Sequence, residues 1–116
     1  SGGRFFVTTG EVLIPEFTVN GIKSGEVARL PESQAAKVRV QLKWTFPLDY
    51  AEIISGNGKV VKRQRLDLTN TNSFGEKNLV VDVNLAGQRW VRLEVWDIAT
   101  NGAFTQPVWL QPATSR

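Results

Sequence analysis

Lys37-Val-Arg-Val-Gln-Leu-Lys-Trp-Thr-Phe46 is the stretch that decides the fold class. Val38, Val40, Leu42, Trp44 and Phe46 alternate with Lys37, Arg39, Gln41, Lys43 and Thr45. A strict period of two puts every apolar side chain on one face and every polar one on the other. That is the pattern of a half-buried strand with one wet face, as antiparallel sheets allow. Pro47 follows, and a residue with no N–H ends the pattern. The alternation returns downstream. Leu79, Val81, Val83 and Leu85 interleave with Val80, Asp82 and Asn84, and Trp90–Ile98 places Val91, Leu93 and Val95 on one face. No long stretch carries a helical period.

The segments between these strands read as punctuation. Ser55-Gly-Asn-Gly58 separates Tyr50–Ile54 from Val60–Leu68, and Asn-Gly suits the positive φ angles of a type I′ hairpin turn. With Asn57-Gly58 as a two-residue loop, the expected register sets Ile54 opposite Val61 and Glu52 opposite Arg63, an apolar pair and an opposite-charge pair. Arg4–Thr9 is a short apolar run closed by Gly10. Glu11–Asn20 is a second, with Pro15 marking either an edge strand or a kink between two short strands. Asn20-Gly21, Ser24-Gly25 and Asn101-Gly102 mark further turns. Phe104–Leu110 is the last strand, and Pro107 within it argues for an edge position. Seven or eight short strands with this punctuation predict an all-β chain, an immunoglobulin-like β-sandwich, with a small barrel as the alternative. One domain is expected over residues 4–112. Ser1-Gly2-Gly3 reads as a linker or expression scar, and 113–116 as a tail.

Composition narrows the chemistry. The 116 residues carry 14 Lys+Arg and 11 Asp+Glu, a net charge of +3, with no His and no Cys. A length of this order supports one core without disulfide or metal staples. No apolar run is long enough for a transmembrane helix, so no membrane partner is expected. Without His or Cys there is no Ser-His-Asp triad, no thiolate nucleophile and no zincin or Cys-ligated metal site. Glu11, Glu16 and Asp49 show no spacing that marks an acid–base carboxylate pair. The chain therefore reads as non-catalytic, with no catalytic, cofactor-binding or metal residue to assign.

Three features remain as candidates. Lys37, Arg39 and Lys43 share a wet face, and Lys59, Lys62, Arg63 and Arg65 cluster on the hairpin return. With Glu52, Asp67 and Asp82 available as counter-charges, this basic surface reads as a solvated face and not as a nucleic-acid site. Asp67, Asn70 and Asn72, and separately Asp97 and Asn101, are oxygen-rich, but Asp and Asn are ordinary turn residues. Trp44 belongs to the core-facing alternation. Trp90 and Trp96 share parity with Arg92 and Glu94 on an outer face. Together with Trp109 they are candidates for an interface, or for stacking on a carbohydrate or protein ligand.

Gly3-Arg-Phe-Phe-Val-Thr-Thr-Gly-Glu11 resembles the G-R-x-F-V-T-x-G-x stretch that follows the catalytic domain in the carbaryl-esterase-like branch of PHP-type (polymerase and histidinol phosphatase) metallo-hydrolases. Arg89–Asp97 and Ala103–Trp109 resemble the closing strands of the immunoglobulin-like C-terminal domain of those proteins. Ala51–Val61 matches their x-E-x-x-x-x-N-G-x-x-V hairpin. The resemblance covers most of the chain in order. It implies an accessory domain of a metal-dependent hydrolase or phosphoesterase, whose partner is the catalytic domain of the same parent chain. That family's metal ligands are His and Asp of the catalytic domain. None transfers to a chain without His, so the divalent metal is expected in the parent's missing domain. Under the resemblance Arg4–Glu11 is expected nearest that domain, with Thr8, Thr9 and Gly10 bordering its active-site mouth.

Overall fold

The computed structural model describes residues 6–8 and 10–112, all β and turn. Its strands are β1 (Phe6–Thr8), β2 (Val12–Val19), β3 (Ile22–Lys23), β4 (Val27–Arg29), β5 (Ala35–Trp44) and β6 (Leu48–Gly56). They continue with β7 (Val61–Asp67), β8 (Gly75–Asn84), β9 (Trp90–Asp97), β10 (Gly102–Thr105) and β11 (Val108–Gln111). The eleven exceed the seven or eight expected because β3 and β4 are very short and the last strand is split.

Two sheets form. The smaller runs β3-β2-β5-β8. In the larger, β9 is central: β6 and then β7 lie to one side, while β10 and β11 lie end to end on the other. Beyond them, β1 pairs antiparallel with β10, and β4 pairs parallel with β11. The chain crosses between the sheets after β1, β3, β4, β5, β7 and β8. This is the all-β sandwich that the short, punctuated strands predict. The inner faces meet in one apolar core. β5 supplies Val38, Val40 and Leu42, β9 supplies Val91, Leu93 and Val95, and Val12, Val19, Leu48, Leu85 and Val108 are also almost wholly inaccessible. Dehydrating such a set is the main term that offsets backbone ordering.

Several local expectations need correction. β5 stops at Trp44, and Phe46 lies exposed beyond it instead of joining the inner face. Pro15 does not split β2. It falls at a register shift between Leu13 and Glu16, where β5 is the one paired neighbour because β3 reaches only Thr18 and Val19, so the strand is locally an edge and its bulge tolerates a residue without an N–H. Pro107 is not on an edge strand. It occupies the break between β10 and β11, both of which have neighbours on two sides. At that break the Thr105 hydroxyl accepts the Leu93 N–H at 3.0 Å, and the Gly25 N–H donates to the Pro107 carbonyl at 2.7 Å.

The β6–β7 hairpin also departs from the expected register. Gly56 pairs with Val61, Ile54 with Arg63 and Glu52 with Arg65, two residues from the two-residue-loop alignment. The Asn57 side-chain oxygen accepts the N–H groups of Lys59 and Val60, both at 2.9 Å, while its amide donates to the Gly87 carbonyl at 3.1 Å. This side-chain turn replaces the backbone type I′ turn, and only Gly58 of the pair has positive φ. Asn20-Gly21 does form a two-residue turn with both φ values positive, joining β2 to β3.

Candidate functional site

Side chains on β9 alternate between faces, so Val91, Leu93 and Val95 enter the core while Trp90, Arg92, Glu94 and Trp96 stand on the outside of the larger sheet. Cross-strand register builds four rows on that outer face. The first runs Val27, Trp109, Trp90, Gly56, Val61 across β4, β11, β9, β6 and β7. Val27 is 57% exposed, Trp109 47% and Val61 56%. Trp90 is only partly exposed, because its indole lies over Gly56, where a Cβ would run into the ring.

The second row holds Arg92, Ile54 and Arg63. Ile54 is fully buried here, apart from the core between the sheets. The third sets Glu94 directly opposite Glu52. Like charges at that spacing repel, and arginines separate them. Arg92 Nη1 lies 2.7 Å from Glu94 Oε2, Arg63 Nη1 lies 2.8 Å from Glu52 Oε1, and Arg65 Nε lies 3.7 Å from Glu52 Oε2. The fourth row is Gly102, Trp96 and Tyr50. Trp96 lies over Gly102, meets Phe104 edge-on at 5.6 Å between ring centres, and donates from Nε1 to Glu94 at 3.4 Å. The Arg65 guanidinium stacks 3.7 Å from the Tyr50 ring centre, a cation–π contact.

The structure therefore sorts the tryptophans. Trp44 is buried, with Nε1 donating to the Asn72 carbonyl at 2.6 Å. Trp90 and Trp109 are cross-strand neighbours, whereas Trp96 sits at the far end of β9, packed by Phe104. Thr8 pairs with Ala103 at the β1 edge, away from Trp109, and Thr9 lies outside the described residues, as do the expected linker 1–3 and tail 113–116. Val27 and Val61 complete the apolar row and were not singled out from sequence. The alternation in Val27-Ala-Arg29 spans one short strand, too little to reveal a periodic face.

The other candidates resolve into ordinary structure. Lys37 pairs with Asp82 at 3.0 Å and Lys43 approaches Glu76 at 3.9 Å on the outer face of the smaller sheet. Among the described residues no group of three His, Cys, Asp or Glu side chains converges to hold a metal ion. Asp97 is consumed by its own loop, accepting the Ala99 and Asn101 N–H groups and the Asn101 side-chain amide. A cleft of about 390 Å³ between Leu30, Gln34, Gln88, Arg89 and Leu110 is mostly apolar. Gln88 beside it donates to Ser55 at 3.1 Å, leaving its own buried Oε1 without a partner among the described residues.

Among the described residues, Asp67 is the carboxyl whose acidity is shifted. The Thr69 hydroxyl, and after it the Thr69 backbone N–H, hold its carboxyl below the ordinary value, at 2.6 and 2.9 Å. The depressed folded-state pKa makes its contribution to stability present above the unfolded pKa and lost as pH falls through the folded one. Replacing Thr69 with valine removes the larger donor, so the Asp67 carboxyl should titrate closer to its ordinary value. Carbon-detected NMR titration of the carboxyl checks this, and an unchanged midpoint in Thr69→Val would refute the assignment.

No protein-family model and no curated protein matches this chain.

Proposed function

We propose that this chain is a non-catalytic accessory domain that docks onto a larger protein through the outer face of its larger sheet. Following the sequence resemblance, that protein is the catalytic domain of a PHP-like metal-dependent hydrolase. The observation that carries the docking reading is the apolar row from Val27 through Trp109 and Trp90 to Val61. A contiguous exposed apolar strip that the core does not need is the signature of a contact surface. Here it is rimmed by the Arg92–Glu94 and Arg63–Glu52 pairs, as interface centres are by polar groups. The absence of His and Cys supports the non-catalytic part, and under the resemblance the divalent metal belongs to the partner.

A second reading, carbohydrate binding, draws on the exposure of Trp109. It is the weaker one, because stacking platforms gain from several free rings. Trp90 is seated on Gly56 and Trp96 is enclosed by Gly102 and Phe104.

The test begins with the reading frame upstream of Ser1, which should encode a barrel-scale domain with clustered His and Asp. In that two-domain protein, Trp109→Glu should uncouple unfolding of the two domains and weaken their association by a hot-spot increment, roughly thirtyfold or more. The same substitution should leave the melting of this domain alone nearly unchanged. Wild-type coupling in the variant would overturn the docking face. Saturable quenching of Trp fluorescence by soluble glycans, abolished by Trp109→Ala, would favour carbohydrate binding instead.

A further inference from the structure

We propose that the free edge of β7 is a strand-addition site for an acidic, extended peptide segment of a partner protein. Among the described residues β7 pairs with β6 alone, and six of its seven residues are exposed. Its outward row of backbone N–H and C=O groups is therefore a template for another strand. The smaller sheet ends at β8 on the same flank. A cleft of about 270 Å³ opens between the two edges, lined by Lys62, Arg63 and Gln64 of β7, Ile53 and Ser55 of β6, and Val83 and Asn84 of β8.

Charge separates the two edges. On β8 itself the charges are mixed, with Glu76 and Asp82 facing Lys43 and Lys37 across the strand pair and Lys77 as the one cation of the strand. On β7 and its turn, Lys59, Lys62, Arg63 and Arg65 outnumber the nearby Glu52 and Asp67. Glu52 engages both arginines, and Asp67 is turned toward Thr69. The surplus is basic and lies along the edge itself.

Register then specifies the ligand. Lys62 and Gln64 pair with Ser55 and Ile53 on the inner side, while Arg63 and Arg65 pair with Ile54 and Glu52 on the outer side. A strand added to β7 places alternate side chains into the cleft against Ile53 and Val83, and the others beside Arg63 and Arg65. The fitting sequence alternates aliphatic and acidic residues. Lys62, directed inward at an edge, disfavours a purely apolar strand, so the feature that guards the edge also selects for an acidic one. A nucleic acid would meet the same cations but has no peptide groups to continue the ladder. The site meets the apolar row at Val61 and the Arg63–Glu52 pair, but its test reads peptide binding by this chain alone and the docking test reads Trp109 on β11, so either proposal can fail without the other.

The probe is an acetylated, amidated peptide of alternating glutamate and valine, titrated into the isotopically labelled chain and followed by amide NMR and hydrogen exchange. Saturable shifts should centre on Val61–Asp67, with edge amides of β7 exchanging roughly tenfold more slowly in the complex. Proline at a central valine should weaken binding by roughly tenfold or more, since it removes a ladder donor. The exposed substitutions Lys62→Gln and Arg63→Gln together should also weaken it, with folding verified by circular dichroism. The proposal is overturned by equal binding of the proline peptide or of a lysine–valine peptide. It is equally overturned by shifts centred on β8, by preference for a single-stranded oligonucleotide at the same residues, or by no saturable shift at millimolar peptide.

Discussion

Asp97→Ala is expected to destabilise the domain by about 1–3 kcal/mol, since it removes the buried acceptor of two backbone donors at the base of an otherwise exposed turn. Asp97 closes β9 and is only 2% exposed. Its Oδ1 accepts the N–H groups of Ala99 and Asn101, each at 2.8 Å, and its Oδ2 accepts the Asn101 amide at 2.9 Å. These bonds hold the turn in which Thr100 adopts a φ of 65° and the Asp97 N–H donates to the Asn101 carbonyl at 3.0 Å. The loop thereby launches β10, which pairs with β9 from Gly102 onward. Asn at position 97 keeps an acceptor for both backbone donors but loses the charge assistance. It also presents an amide to the Asn101 amide, so about half the alanine effect is expected. Urea unfolding of the three proteins with a common m-value decides it. A loss below about 1 kcal/mol in Asp97→Ala would mean that water replaces the carboxylate without penalty.

What the sequence discloses and what it hides differ by the range of the interaction. The inner and outer faces of β5 and β9 are legible because alternation is local: Val38, Val40, Leu42 and Trp44 could only be buried together. The same parity argument places Trp90 and Trp96 on an outer face. It cannot show that each indole lies over a glycine of the next strand, because the Trp90–Gly56 and Trp96–Gly102 pairings join residues set opposite each other only by the folded register. The hairpin shows a second limit. Asn57-Gly58 is rightly a turn, yet the Asn57 side chain competes with the backbone for the Lys59 and Val60 donors and moves the register by two. An even shift preserves the faces, so Glu52 still meets Arg63, now diagonally. The apolar row was out of reach for a related reason. Val27 and Val61 are isolated valines until β4 and β7 bring them into line with Trp109 and Trp90.

That cross-strand seating of tryptophan on glycine makes a sign prediction that strand propensity alone would get wrong. Glycine inside a strand is ordinarily less favourable than alanine by about 0.5–1 kcal/mol, so Gly75→Ala in β8 would be expected to stabilise. Gly75, however, pairs with Trp44, and a Cβ there would stand 2.5 Å from Cζ2 and 2.7 Å from Cε2 of the indole. The ring cannot retreat cheaply, because it is buried and tied by Nε1 to the Asn72 carbonyl at 2.6 Å. Overpacking of this kind costs about 1–3 kcal/mol and exceeds the propensity gain. Displacing the ring also weakens the Asn72 bond, by about 1 kcal/mol more. Gly75→Ala is therefore expected to destabilise by about 2–3 kcal/mol, with a shift in Trp fluorescence. A double-mutant cycle isolates the cause. In a Trp44→Leu background the obstruction is gone, and Gly75→Ala should become neutral or stabilising, a coupling of about 2 kcal/mol or more. If the two substitutions instead add, the destabilisation arises in the β8 backbone, and the indole is only a neighbour of Gly75, not the reason that position is glycine.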